Sequence, residues 1–73
     1  MNEYDFHGQT QEEALNRLNK IINKVRLAKE ERLIYLITGR GLIKEAFLQY
    51  LIKYNIEHQV MPGNSGTIIM VVE

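Results

Sequence analysis

Leu33-Ile34-Tyr35-Leu36-Ile37-Thr38-Gly39-Arg40-Gly41 is a short apolar run that ends in a glycine-bearing turn. Leu33 to Ile37 is too short for a helix and lacks polar alternation, which predicts a strand buried on both faces or nearly so. Beyond the turn, Ile43, Phe47, Tyr50, Leu51 and Tyr54 form a helical stripe, with Lys44, Glu45, Gln49 and Lys53 off it and Asn55 as a left-handed cap. Thr38 to Gly41 is therefore a strand exit leading almost directly into a helix.

The same arrangement occurs upstream. Residues 3 to 7 alternate, Tyr4 and Phe6 on one face and Glu3, Asp5 and His7 on the other, which is the period of a half-buried strand. Gly8 ends it. Thr10 with Glu13 forms a capping box, and Ala14, Leu15, Leu18, Ile21, Ile22, Val25 and Ala28 then predict a helix over residues 11–29. Downstream, Ile56 to Val60 is a mixed strand. Pro62-Gly63-Asn64-Ser65-Gly66 is dense in turn formers and leads into the apolar run Thr67 to Val72, so the last two strands make a hairpin.

The order is βαβαββ. Right-handed crossovers place both helices on one face of the sheet, giving an α/β chain of the α+β two-layer sandwich kind. The two continuously apolar strands belong in the centre and the two mixed ones at the edges, so the four-stranded mixed sheet has the expected order 1-2-4-3 with the last strand antiparallel. The uncovered sheet face then exposes Tyr35 or its neighbours, which motivates a homodimer or a partner domain there.

The chain has 73 residues, no formal net charge and no cysteine. It has room for one unstapled domain, 1–73, and no disulfide or cysteine-ligated metal scaffold. A domain of this size buries only roughly 60% of its unfolded surface, so stability is marginal or partner-assisted. The run Thr67 to Val72 is far short of the ~20 residues a membrane span needs, and acidic residues rather than a signal peptide follow Met1. No membrane role and a cytoplasmic location are expected. The neutral total hides a split: Glu3, Asp5, Glu12 and Glu13 precede a basic stretch with Arg17, Lys20, Lys24, Arg26, Lys29 and Arg32.

If the first three strands are parallel, their carboxyl ends carry His7-Gly8, Thr38-Gly39-Arg40-Gly41 and the Met61 to Gly66 turn to one edge, where ligands bind in open α/β sheets. Gly39 and Gly41 let backbone N–H groups approach a phosphate, the next helix aims its dipole at it, and Arg40 grips it. A tight strand-to-helix turn uses glycine for geometry alone, and that reading stands beside the first. Asp5 and His7, two apart on a strand, point the same way. Imidazole exchanges protons near neutral pH, and Asp5 can orient it, position water or hold a hydrated cation. The alternative is a solvated edge strand. Arg17, Lys20 and Lys24 lie opposite the apolar stripe of the first helix, as an accessory basic face or a merely solvated one.

Tyr4-Asp5-Phe6-His7-Gly8-Gln9-Thr10, with Glu13-Ala14 after it, resembles the Leu-Asp-Leu-His-Gly start of the small MutS-related (Smr) domain. Leu36 to Gly41 is similar to that family's Thr/His-Gly-x-Gly segment, Lys44 to Leu51 to its second helix, and Gly63 to Val72 to its glycine-rich hairpin. The resemblance implies a fold similar to the C-terminal domain of a bacterial translation initiation factor. It implies nucleic-acid binding with nicking of DNA or RNA, Asp5 and His7 as catalytic residues, and Gly39, Arg40 and Gly41 as contacts to nucleic acid; the neighbouring Thr38 and Lys44 are expected to join them. Mg²⁺ or Mn²⁺ at Asp5, no organic cofactor, and DNA, RNA or the ribosome as partners follow from the same comparison. A binding module that delivers a partner without chemistry is the alternative, because the glycine loop is shorter than in many members and the hairpin lacks their acidic, double-glycine insertion.

Overall fold

The first helix begins where its orphan N–H groups find side chains. In the computed structural model, which describes residues 2–73, the Thr10 hydroxyl accepts the Glu13 N–H at 3.1 Å and the Glu13 carboxylate accepts the Thr10 N–H at 2.9 Å. The Thr10 backbone N–H on that carboxylate, followed by the Thr10 side chain, holds the Glu13 carboxyl below its ordinary range. The predicted capping box is thus present. Lys29, at φ 55°, closes the helix in the left-handed region.

The elements are β1 (Glu3–Asp5), α1 (Gln11–Ala28), β2 (Arg32–Ile37), α2 (Leu42–Lys53), β3 (Glu57–Val60) and β4 (Thr67–Val72). They form one four-stranded sheet in the order β1-β2-β4-β3. β1 runs parallel to β2, and β4 runs antiparallel to both of its neighbours. Class, strand order and direction agree with the expectation from sequence. Asn55, at φ 54°, turns the chain out of α2 toward β3.

Period two along β2 and β4 puts Ile34, Leu36, Ile68, Met70 and Val72 on the face that both helices cover. They pack with Phe6 from the end of β1, Leu18 and Ile22 of α1, and Phe47 and Leu51 of α2. The Phe6 and Phe47 rings meet edge to face, with centroids 4.8 Å apart. Outside the core, the Tyr50 hydroxyl donates to Asn19 Oδ1 at 3.0 Å and clasps the two helices. No helix among the described residues is long and apolar enough to cross a membrane.

The central strand departs from expectation. Leu33 is 47% exposed and Tyr35 and Ile37 are half-buried, so β2 is covered on one face only. A continuous apolar run marks two faces that favour leaving water, but this chain supplies helices for one of them.

Loss of the cap sets the first prediction. Thr10→Ala removes an N-cap acceptor and should destabilise the fold by about 1 kcal/mol, a fall in Tm of roughly 4–8 °C for a domain of this size. Because the folded-state pKa of Glu13 is depressed, its contribution is present above the ordinary carboxylate range and lost as pH falls through the lowered value. Urea melts of the parent and Glu13→Gln should therefore differ at pH 7 and converge as the pH falls through that lowered value.

Candidate functional site

Parallel pairing of β1 with β2 sets their carboxyl ends, Asp5 and Ile37, side by side. The Phe6 N–H donates to Ile37 O at 3.0 Å and carries the pairing one residue further, so the His7-Gly8 turn lies beside the exit of β2. The hairpin joins from the other side. Gly66 O accepts the N–H of Thr38 at 2.8 Å and of Gly39 at 3.0 Å, and the Thr38 hydroxyl stands 2.9 Å from Gly39 O and 3.3 Å from Gly66 O. The structure brings the three polar segments together.

This brace changes which groups face a ligand. The N–H groups of Thr38 and Gly39, expected to approach a phosphate, are spent on Gly66, and Thr38 serves as a loop clasp. Gly39 takes φ 74°, and a Cβ at Gly66 would stand 3.4 Å from Gly39 Cα. The donors that remain lie further along. Gly41 caps α2 without a side-chain bond, and the first helical bond runs from Glu45 N–H to Gly41 O at 3.3 Å. The N–H groups of Leu42, Ile43 and Lys44 precede that bond and carry the positive end of the helix dipole. Arg40 is exposed beside them, and Lys44 is half-buried in the first turn. Among the described residues the one ion pair is Arg32–Glu30 at 2.8 Å, at the opposite end of β2, so neither Arg40 nor Lys44 forms one.

Asp5 and His7 are close, but not as two residues of one strand. β1 stops at Asp5, whose Oδ1 accepts the His7 main-chain N–H at 2.8 Å, and Gly8 follows at φ 78°. A short carboxylate two residues before a free N–H competes with continued extension, and full burial of Phe6 between them pulls the chain inward. Asp5 therefore holds the turn rather than the imidazole. His7 stands exposed on that turn.

Arg17 also leaves its expected place. Lys20 and Lys24 are exposed, whereas the guanidinium of Arg17 donates to Asp5 O at 2.8 Å and lies 4.9 Å from the Phe6 ring centroid. Position 17 borders the buried stripe of Ala14, Leu18 and Ile21, a flank from which a long side chain reaches the edge strand. That adjacency is the signal in the sequence. Gln9, which no sequence pattern marks, buries its Oε1 beside the turn with no hydrogen-bond partner among the described residues. His58, not assigned to a site, is half-buried with Nδ1 2.7 Å from Ile56 O.

The metal reading meets a sparse donor set. Among the described residues no three His, Cys, Asp or Glu side chains gather to hold an ion. Asp5 brings one carboxylate with one oxygen already engaged, a single ligand of the kind that holds a hydrated Mg²⁺ only together with substrate phosphate.

Comparison with known proteins follows the same outline. The model of the Smr domain family matches residues 4–69. The fold is similar to the Smr domain of Thermus thermophilus MutS2, at 20% identity and a TM-score of 0.85, over 100% of this chain and 99% of that one. It is also similar to the human small-MutS related domain, at 26% identity and a TM-score of 0.78, over 96% of this chain and 99% of that one. The SMR domain of NEDD4-binding protein 2 shares 26% identity with a TM-score of 0.77, over 100% of this chain and 86% of that one. No curated protein sequence matches the chain.

Two substitutions test the scaffold. Gly39→Ala places an L-residue at positive φ with open space around its Cβ, so only backbone strain acts, and urea denaturation should report a loss of roughly 1–2 kcal/mol. Arg17→Met keeps an apolar stem near Phe6 but deletes the bond to Asp5 O, for an expected loss of about 1 kcal/mol by the same measurement.

Proposed function

The chain belongs to the Smr domain family, whose members are generally nucleic-acid associated, and from that premise we propose that it binds and nicks DNA or RNA at the carboxyl ends of β1 and β2. The observation that carries the reading is a corner where Arg40 and Lys44 form no ion pair, although Glu45 lies in the same first turn. Arg40, Lys44 and the first N–H groups of α2 share one end of the molecule, where no carboxylate pairs with either side chain. A cation in the first turn of a helix opposes the dipole, and a bound phosphate relieves that opposition.

In this reading Arg40 and Lys44 hold a backbone phosphate against the α2 N-terminus. His7 takes the proton of the nucleophile, Asp5 fixes the turn that carries His7, and Arg17 fixes Asp5 from behind. With RNA the nucleophile is the adjacent 2′-hydroxyl: its oxygen bonds to phosphorus, its proton passes to His7, and the bond to the 5′-oxygen breaks. A cyclic phosphate and a 5′-hydroxyl result, the leaving oxygen taking a proton from water. With DNA, water attacks phosphorus and passes a proton to His7 while one ester P–O bond breaks, leaving a phosphate monoester and a hydroxyl whose oxygen takes its proton from water. The neutral chain and short loop favour weak, salt-sensitive affinity.

Cleavage of supercoiled plasmid and of structured RNA, with and without EDTA, tests this. His7→Ala should lower the rate by about 10²-fold or more with binding little changed. Asp5→Asn keeps an acceptor for the His7 N–H, so comparing it with Asp5→Ala separates charge from turn geometry. Arg40→Ala should weaken binding about tenfold, equivalent to 1.4 kcal/mol. Folded His7→Ala and Asp5→Ala variants that cut as fast as the parent would overturn the catalytic reading. Parent protein that binds without cutting either polymer would make it a recognition module.

A further inference from the structure

The face of the sheet opposite the helices has a composition of its own. Parity from the strand register places Leu33, Tyr35 and Ile37 of β2 and Ile69 and Val71 of β4 on it. Glu3 pairs with Tyr35 and Asp5 with Ile37 along β1, while Glu57 pairs with Val71 along β3. The centre of the face is therefore apolar; β1 brings Glu3 and Asp5 to its edge, and β3 brings Glu57 beside the neutral Gln59. Two shallow grooves cross it. One of about 510 Å³ is lined by Glu3, Leu33, Tyr35, Ile37 and Met61 among others, and one of about 200 Å³ by Leu33, Glu57, Ile69 and Val71 among others. No Lys or Arg lines either groove.

We propose that this face docks an amphipathic helix of a partner protein, with an apolar stripe on Leu33, Tyr35, Ile69 and Val71 and Lys or Arg along both flanks against Glu3 and Glu57. The dimensions agree. β1 and β3 stand three strand spacings apart, about 14 Å, slightly more than the ~10–12 Å width of a helix with its side chains. A helix lying along β2 and β4 thus brings its flanking residues over the acidic edges. From Leu33 to Ile37 the strand advances about 13 Å, matching nearly two and a half helical turns. The docked helix would complete a helix-sheet-helix sandwich and remove the exposed apolar centre from water.

Charge selects this occupant over two others. A nucleic-acid backbone would meet a carboxylate at each edge and no Lys or Arg in either groove, Arg26 standing beyond Glu57 at the β3 edge. A second copy laid face to face would oppose acidic edges to acidic edges.

The test uses two synthetic helical peptides with the same leucine stripe, one flanked by lysine and one by glutamate, titrated into the intact protein. The lysine peptide should bind at least tenfold more tightly and weaken with salt. Leu33→Glu, at an exposed position, should lose binding while keeping the parent's thermal melt. The pair Glu3→Lys and Glu57→Lys should reverse the preference. Equal binding of both peptides, binding of neither, or a concentration-dependent dimer abolished by Leu33→Glu would overturn the proposal. Because Glu3, Leu33 and Glu57 lie outside the cleavage site proposed above, its failure is distinguishable from failure of that reading.

Discussion

Two helices and four strands leave this chain able to cover only one face of its sheet. That constraint orders the rest of the structure. Burial of Ile34, Leu36, Ile68, Met70 and Val72 beneath α1 and α2 builds a one-sided core, with the Phe6 and Phe47 rings in edge contact beside it. Because β1 and β2 are parallel and each passes into a helix on the same face, their exits open at one end. The polar loops gather there because a buried loop would strand unpaired backbone groups. The side without helices keeps Leu33 half in water.

At the loop end, backbone bonding decides the chemistry on offer. Gly66 O takes two N–H groups from the exit of β2, which stiffens the loop and moves the available donors forward to the start of α2. Asp5, held by Arg17 on its carbonyl and bonded to His7 through its carboxylate, performs the matching task for β1. Both turns are thus fixed by the chain itself, with Arg40, Lys44 and His7 left at the surface. Fixed turns lower the cost of ordering the proposed site on binding a ligand.

Much of the fold was legible in local patterns. Thr67 to Val72 reads as a strand from its composition and is one over the same residues, and Thr10 with Glu13 announces a cap that both bonds realise. The sheet order followed from which runs were apolar. What failed to read correctly depended on tertiary competition. Leu33 to Ile37 looked doubly buried because apolarity does not say which partner supplies the cover. His7 was expected on the strand, but the Asp5 side chain captured its N–H. Arg17 was grouped with Lys20 and Lys24 by spacing alone, although only its position lets a guanidinium reach Asp5 O. The candidate residues are visible in the sequence as types; the bonds that Asp5 and Arg17 make are not.

The central claim is that nucleic acid engages the strand ends and leaves the open sheet face free. Following backbone amide resonances while a short single-stranded RNA or DNA is added tests it directly. Shifts are expected to concentrate at His7, Gly8 and Arg40 to Lys44, with Leu33, Tyr35, Ile69 and Val71 unmoved. Shifts centred on those four sheet residues, or none at low salt, would contradict it.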